Sequence, residues 1–167
     1  MVTDGPDGIH SIEMDALPAA LLATLGSPVG TCWVLWQELK IRSKGAPLTR
    51  DIQQWARNAG VRNVDRIRLA YTKVIPLPAP MFLRKYLDHR GFPSSDVAGL
   101  ALRYGIYLEE GTPLNGSVIR HELIHTRQYQ RMGSVACFLW LYLYQCLTRG
   151  YYHCALEKEA REDSTAP

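Results

Sequence analysis

The sequence predicts an α+β fold, a small sheet packed on helices with a helical extension at the N-terminal end. Three observations predict it. Residues 66–72 and 100–108 alternate large apolar side chains with polar or small ones, the period of half-buried strands. Residues 16–59 and 117–160 carry apolar side chains at helical spacing. Gly60, Gly133 and Gly150 fall where three of those helical stretches stop, the position at which glycine ends a helix. A chain of 167 residues that is 47% apolar is long enough for one compact domain with a sizeable core.

Taken in order, residues 1–11 read as a flexible tail, and helical signals begin at Ala16, with Pro18 suited to a first turn and Gly26 to a stop. A second helix is expected over Val29–Lys40, where Val29, Cys32, Trp33, Trp36 and Lys40 form one stripe and the Trp pair belongs to the core. A third, Arg50–Ala59, starts behind Thr49 as its cap and buries Ile52, Trp55, Ala56 and Ala59. Residues 1–60 are thus a tail and helical extension. The main domain runs over 61–162, and 163–167 form a polar C-terminal tail.

In the main domain Ile67, Leu69 and Tyr71 define a strand that Pro76, Pro78 and Pro80 end. Residues 81–88 suit a short helix and 91–95 a loop. Leu100, Leu102, Tyr104, Ile106 and Leu108 then share one strand face, with Gly105 marking a bulge or a tight bend between two short strands. Asn115 or Ser117 can cap a helix over Val118–Met132. Helices over Ser134–Thr148 and from about Leu156 follow.

The net charge of +3 is too small to point to nucleic acid. Four dispersed cysteines, with no CxxC pair, suit a reducing compartment, and the first ten residues lack the basic start of a secretory signal, so a cytoplasmic location is expected. Val135–Tyr144 is wholly apolar or aromatic, but ten residues fall short of the roughly 20 that a spanning helix needs, so no integral membrane segment is expected.

The chemistry concentrates in His121-Glu122-Leu123-Ile124-His125. Residues four apart on a helix lie one above the other, so His121 and His125 can ligate one ion. Glu122 is the next residue round, rotated by roughly 100°. There it can take a proton from a zinc-activated water as general base without being a ligand. A catalytic zinc needs a third protein ligand and an open fourth position. Glu157, Glu159, His153 and Cys154 are the candidates, with Glu157 preferred because Gly150 can turn the chain back toward the metal.

These residues resemble the zincin metallopeptidases, and among them the gluzincins, in which a later glutamate is the third ligand. Leu156-Glu157-Lys158-Glu159-Ala160 looks like the E-x-x-A segment of the prenyl-protein protease and heat-shock membrane protease group, which assigns the ligand to Glu157; the family's following Asp is Arg161 here. Residues 98–131 are similar to the small bacterial minimal gluzincins. The resemblance implies a zincin-like fold over roughly 61–162, Zn2+ on His121, His125 and Glu157, and hydrolysis of a peptide bond by a water activated by Glu122. It implies a peptide or protein substrate that pairs with the strand at Leu100–Leu108. Tyr151, Tyr152, His153, Arg120 and Arg127 are open candidates for oxyanion support. Two rival expectations share the zinc site: a non-catalytic zinc-stabilised binding module with a partner protein on the N-terminal helices, and a zinc amidohydrolase acting on a non-peptide amide.

Overall fold

A computed structural model describes residues 2–4, 10–12, 15–77, 97–114 and 116–165. The architecture is α+β, with five helices and a mixed four-stranded sheet among the described residues. Strands β1 (Val2–Asp4) and β2 (His10–Ile12) pair antiparallel where a flexible tail was expected. The expected helix over 81–88, the loop over 91–95 and His89 lie outside the described residues.

The largest departure from expectation is α1, one helix from Ala16 to Lys44 instead of two. Gly26 does not stop it, and Pro28 lies inside it. A proline inside a helix removes one backbone hydrogen bond, which tertiary packing can outweigh. Here the packing is against α4 (Val135–Arg149), made close by small residues. A Cβ on Gly30 would lie 3.2 Å from Leu139 Cδ1, and one on Gly26 would lie 3.6 Å from Leu143 Cδ1. The side of α1 that packs carries Ala19, Ala23, Ser27 and Val34, so of the expected stripe only Trp33 reaches a core cluster, half-buried, while Val29, Cys32, Lys40 and Trp36, 54% exposed, point outward.

After α1, β3 (Ala46–Pro47) leads to α2 (Arg50–Asn58), which buries Ile52 and Ala56 and leaves Trp55 half-buried. Gly60, at φ +83°, turns the chain into a 3-10 turn (Val64–Arg66) and β4 (Arg68–Thr72). Strands β5 (Gly99–Leu102) and β6 (Gly105–Glu109) form a hairpin, and the sheet order is β3-β4-β6-β5, with β4 and β6 parallel. Gly105 therefore marks a bend and not a bulge. Residues paired across a hairpin point to the same side, and Leu100 pairs with Tyr107 while Ala101 pairs with Ile106. The single face expected for residues 100–108 is thereby split: Ile106 and Leu108 pack toward α2, and Leu100 and Leu102 pack toward α1 and α4.

Of the two turn residues only Arg103 has a positive φ, 61°, a conformation uncommon for a side chain of its size. Its guanidinium is anchored on Glu38 of α1, 3.0 Å away and 2% exposed. Burial raises the pKa of Glu38, and Arg103 acts against the rise.

Helices α3 (Ser117–Met132) and α5 (Ala155–Ser164) complete the fold. The N-cap of α3 is Gly116, and not Asn115 or Ser117, whereas Ser134 caps α4 by accepting from the Cys137 amide. One core cluster joins α2, the sheet and Ile119 and Leu123 of α3; the other joins α1, α4, Tyr129 of α3 and Leu156 of α5. Helix α3 is buried between them, which places the HELIH segment at the centre of the molecule.

Candidate metal centre

His121 and His125 lie on one side of α3, and α5 brings Glu157 against them. Glu157 Oε2 is 3.3 Å from His121 Nε2 and Glu157 Oε1 is 3.3 Å from His125 Nε2. The two Nε2 atoms are 3.0 Å apart, and all three groups offer a donor atom within 4.8 Å of one another. Glu157 is 2% exposed, and its Oε2 is buried with no hydrogen bond among the described residues. Two imidazole nitrogens and an orphaned buried carboxylate oxygen converging on one point make a donor set suited to a small divalent cation.

The surroundings fix these donors. His125 Nδ1 lies 2.8 Å from Gln128 Oε1, while Gln128 Nε2 donates to the Leu156 carbonyl and to Glu159 Oε2. Because the amide nitrogen has both its acceptors, Oε1 must accept, so His125 donates from Nδ1 and turns the Nε2 lone pair toward the centre. Tyr142 donates to Glu157 Oε1 at 2.7 Å. Tyr151 also interacts with Glu157.

Without an ion, the electrostatics are those of a buried ion pair. Burial disfavours the imidazolium of His125, yet the hydrogen bond and charge of Glu157 prevail and push its pKa up to about 9. Burial likewise opposes ionisation of Glu157, but the two imidazoles hold its carboxyl well below the usual range. Burial of the Tyr142 and Tyr151 hydroxyls, with Glu157 beside them, raises both pKa values, so each stays a proton donor.

Glu122, one residue on from His121, lies against β5 with both imidazoles near it. It is 6% exposed, accepts from the Ala101 backbone amide, and has its pKa raised by burial, a tendency the neighbouring imidazoles oppose. Gly99 of β5 makes room for it, since a Cβ there would lie 2.8 Å from both Cγ and Oε1 of Glu122. β5 is the edge strand of the described sheet, so the carboxylate sits beside an edge.

The other candidates are placed elsewhere. Glu159 bonds Arg127, Arg131 and Gln128. His153 is exposed against the Tyr152 ring, and buried Cys154 meets Gln145 Oε1 at 3.4 Å. Arg127 is held by Ala59 O, Glu159 and Asp163, Arg120 lies over the Trp55 ring, and Tyr152 lies under Arg161. Sequence reasoning had not singled out Gln128, Tyr142 or Gly99 as site residues. Gln128 was findable, three residues after His125 on the same helix side. Phe138 and Tyr142 face His125 while Trp140 and Tyr144 stack with each other. No protein-family model matches the chain, and no curated protein or solved structure does so either.

Proposed function

We propose that the protein is a zinc-dependent peptidase of gluzincin type, with His121, His125 and Glu157 as the metal ligands and Glu122 as general base. The observation that carries this reading is the buried, unbonded Oε2 of Glu157 between two imidazole nitrogens that share its target. When bound there, zinc would supply Lewis acidity, polarising a carbonyl and lowering the pKa of water. Glu122 accepts the proton of the attacking water and returns it to the leaving amine. Gln128 orients His125, and Tyr142 and Tyr151 hold Glu157. An extended peptide adding to the edge of β5 would bring its carbonyl beside Glu122. Three protein donors among the described residues, with Cys154 and His153 held elsewhere, leave room for water or substrate and favour turnover over a closed structural site.

Metal analysis of the purified chain should find about one zinc per molecule, lost in His121→Ala. Glu122→Gln should retain the zinc and lose hydrolysis of an unstructured protein substrate by a factor of roughly 10²–10⁴. A folded wild type that takes up no zinc would end the proposal. Equal cleavage by Glu122→Gln would remove Glu122 from the chemistry.

A further inference from the structure

Helix α1 is built the wrong way round for a helix surrounded by water. Only seven of its twenty-nine residues are buried, and those in its first half are the small ones, Ala19, Ala23 and Ser27. The large apolar side chains point outward: Leu17 is 75% exposed, Leu25 72%, Val29 70% and Leu21 58%. Single exposed leucines are ordinary, but these lie along one continuous strip. Small residues toward a neighbouring helix and large ones outward is how helices pack when the medium outside is hydrocarbon.

Polarity along the strip agrees. Residues 16–37 contain no charged side chain, an uncharged length of about 33 Å at 1.5 Å per residue. Thr24, the exposed hydroxyl of the strip, donates to the Ala20 carbonyl and accepts from Trp140 Nε1, and Thr31 donates to the Ser27 carbonyl. Their hydrogen bonds are met within the protein, as hydrocarbon requires. A protein partner of this area is recognised with several hydrogen bonds, whereas between Leu17 and Val29 the outward face carries only the hydroxyl of Thr24, already bonded as donor and as acceptor. The uncharged stretch ends at Trp33 and Trp36, followed by exposed Lys40, Arg42 and Lys44, with Lys40 Nζ 3.3 Å from the Trp36 ring centroid. Aromatic rings and then cations are the sequence of groups that suits the boundary between acyl chains and anionic headgroups.

We infer that the outward face of α1 is a lipid-binding surface that seats the protein on a bilayer through residues 16–36, with Lys40, Arg42 and Lys44 at the headgroups. This holds whether or not the metal centre turns over. The test is flotation of the full chain with phosphatidylcholine vesicles, with and without phosphatidylglycerol. The chain should float with both and more strongly with the anionic vesicles. Leu21→Glu/Leu25→Glu should lower vesicle partitioning by about tenfold or more while leaving the circular dichroism melt and the metal content unchanged. In the unsubstituted chain, acyl-brominated lipids should quench tryptophan fluorescence, and Trp36→Phe should remove most of that quenching. Failure of the wild type to float, equal flotation of the double variant, or absence of quenching overturns the inference. So does a defined dimer in detergent-free buffer that the same substitutions dissociate, if vesicles are not bound; the face would then join two copies of the chain.

Discussion

Glu122 owes its position to a residue that has no side chain. Gly99 lets the carboxylate lie against β5, and a methyl group there would come within 2.8 Å of Cγ and Oε1 of Glu122. Gly99→Ala should therefore leave zinc stoichiometry unchanged and lower kcat by roughly 10–100-fold, since displacement by about an ångström costs that much in a positioned base. Comparing metal content with single-turnover rates checks it, and an unchanged rate would show that the carboxylate has room to retreat. Gln128 meets the other side of the His125 ring, at Nδ1. Gln128→Leu should weaken zinc affinity about 10–100-fold in a competition titration with a chromophoric chelator, as loss of the group that orients a ligating imidazole does. Affinity equal to wild type would mean that packing alone aligns the ring.

Among the elements, the hairpin of β5 and β6 is tied to α1 by one buried ion pair. Arg103 holds a positive φ and meets Glu38, whose carboxylate is 2% exposed. Arg103→Ala should cost about 2–3 kcal/mol in urea unfolding, below the ~3–5 kcal/mol for breaking a fully buried pair because Arg103 itself is 35% exposed. A loss under about 0.5 kcal/mol would mean that water already solvates Glu38. Element types were legible in the sequence because each relies on local periodicity: α2, α3, α4, α5, β4, β5 and β6 all fall on expected segments. One boundary and one strand face were not. Gly26 reads locally as a stop, yet the helix continues through it and through Pro28 because close packing on α4 outweighs the propensity of two residues. The face of residues 100–108 was misjudged because a two-residue turn changes which side a given parity points to.

For the whole molecule, the metal-free chain holds a buried charge pair in place of an ion, which makes its stability depend on pH. His125 has its pKa raised to about 9 in the fold against 6.5 in the unfolded chain. A raised pKa stabilises the fold fully below pH 6.5, and that contribution is lost as pH climbs through about 9. Glu157, held low, contributes above its unfolded value of 4.5 and loses its contribution only as pH falls toward strongly acid conditions. The Tm of chelator-treated protein should therefore fall between pH 6.5 and about 9, while the rise in Tm on adding zinc should grow over the same interval, because zinc competes with the His125 proton. Calorimetric scans of both forms check this, and a flat metal-free profile would place the proton elsewhere. The continuity of α1 also bears on the inferred lipid-binding face: read as two short helices, residues 16–44 offer no continuous strip, whereas the single helix offers an uncharged one about 33 Å long.

By itself the sequence determined the chemistry that is local: two imidazoles four residues apart on a helix, a carboxylate beside them, and the glycines that end α2, α3 and α4. These follow from backbone periods that no distant residue changes. Tertiary structure decided what depends on packing between segments far apart in the chain. It brought Glu157, and not Glu159, Cys154 or His153, against His121 and His125, set Gln128, Tyr142 and Gly99 around that group, and turned the leucines of α1 outward. The reason is one of geometry: which side of a helix is buried is set by the shape of its neighbour, and α4 accepts only the small-residue side of α1.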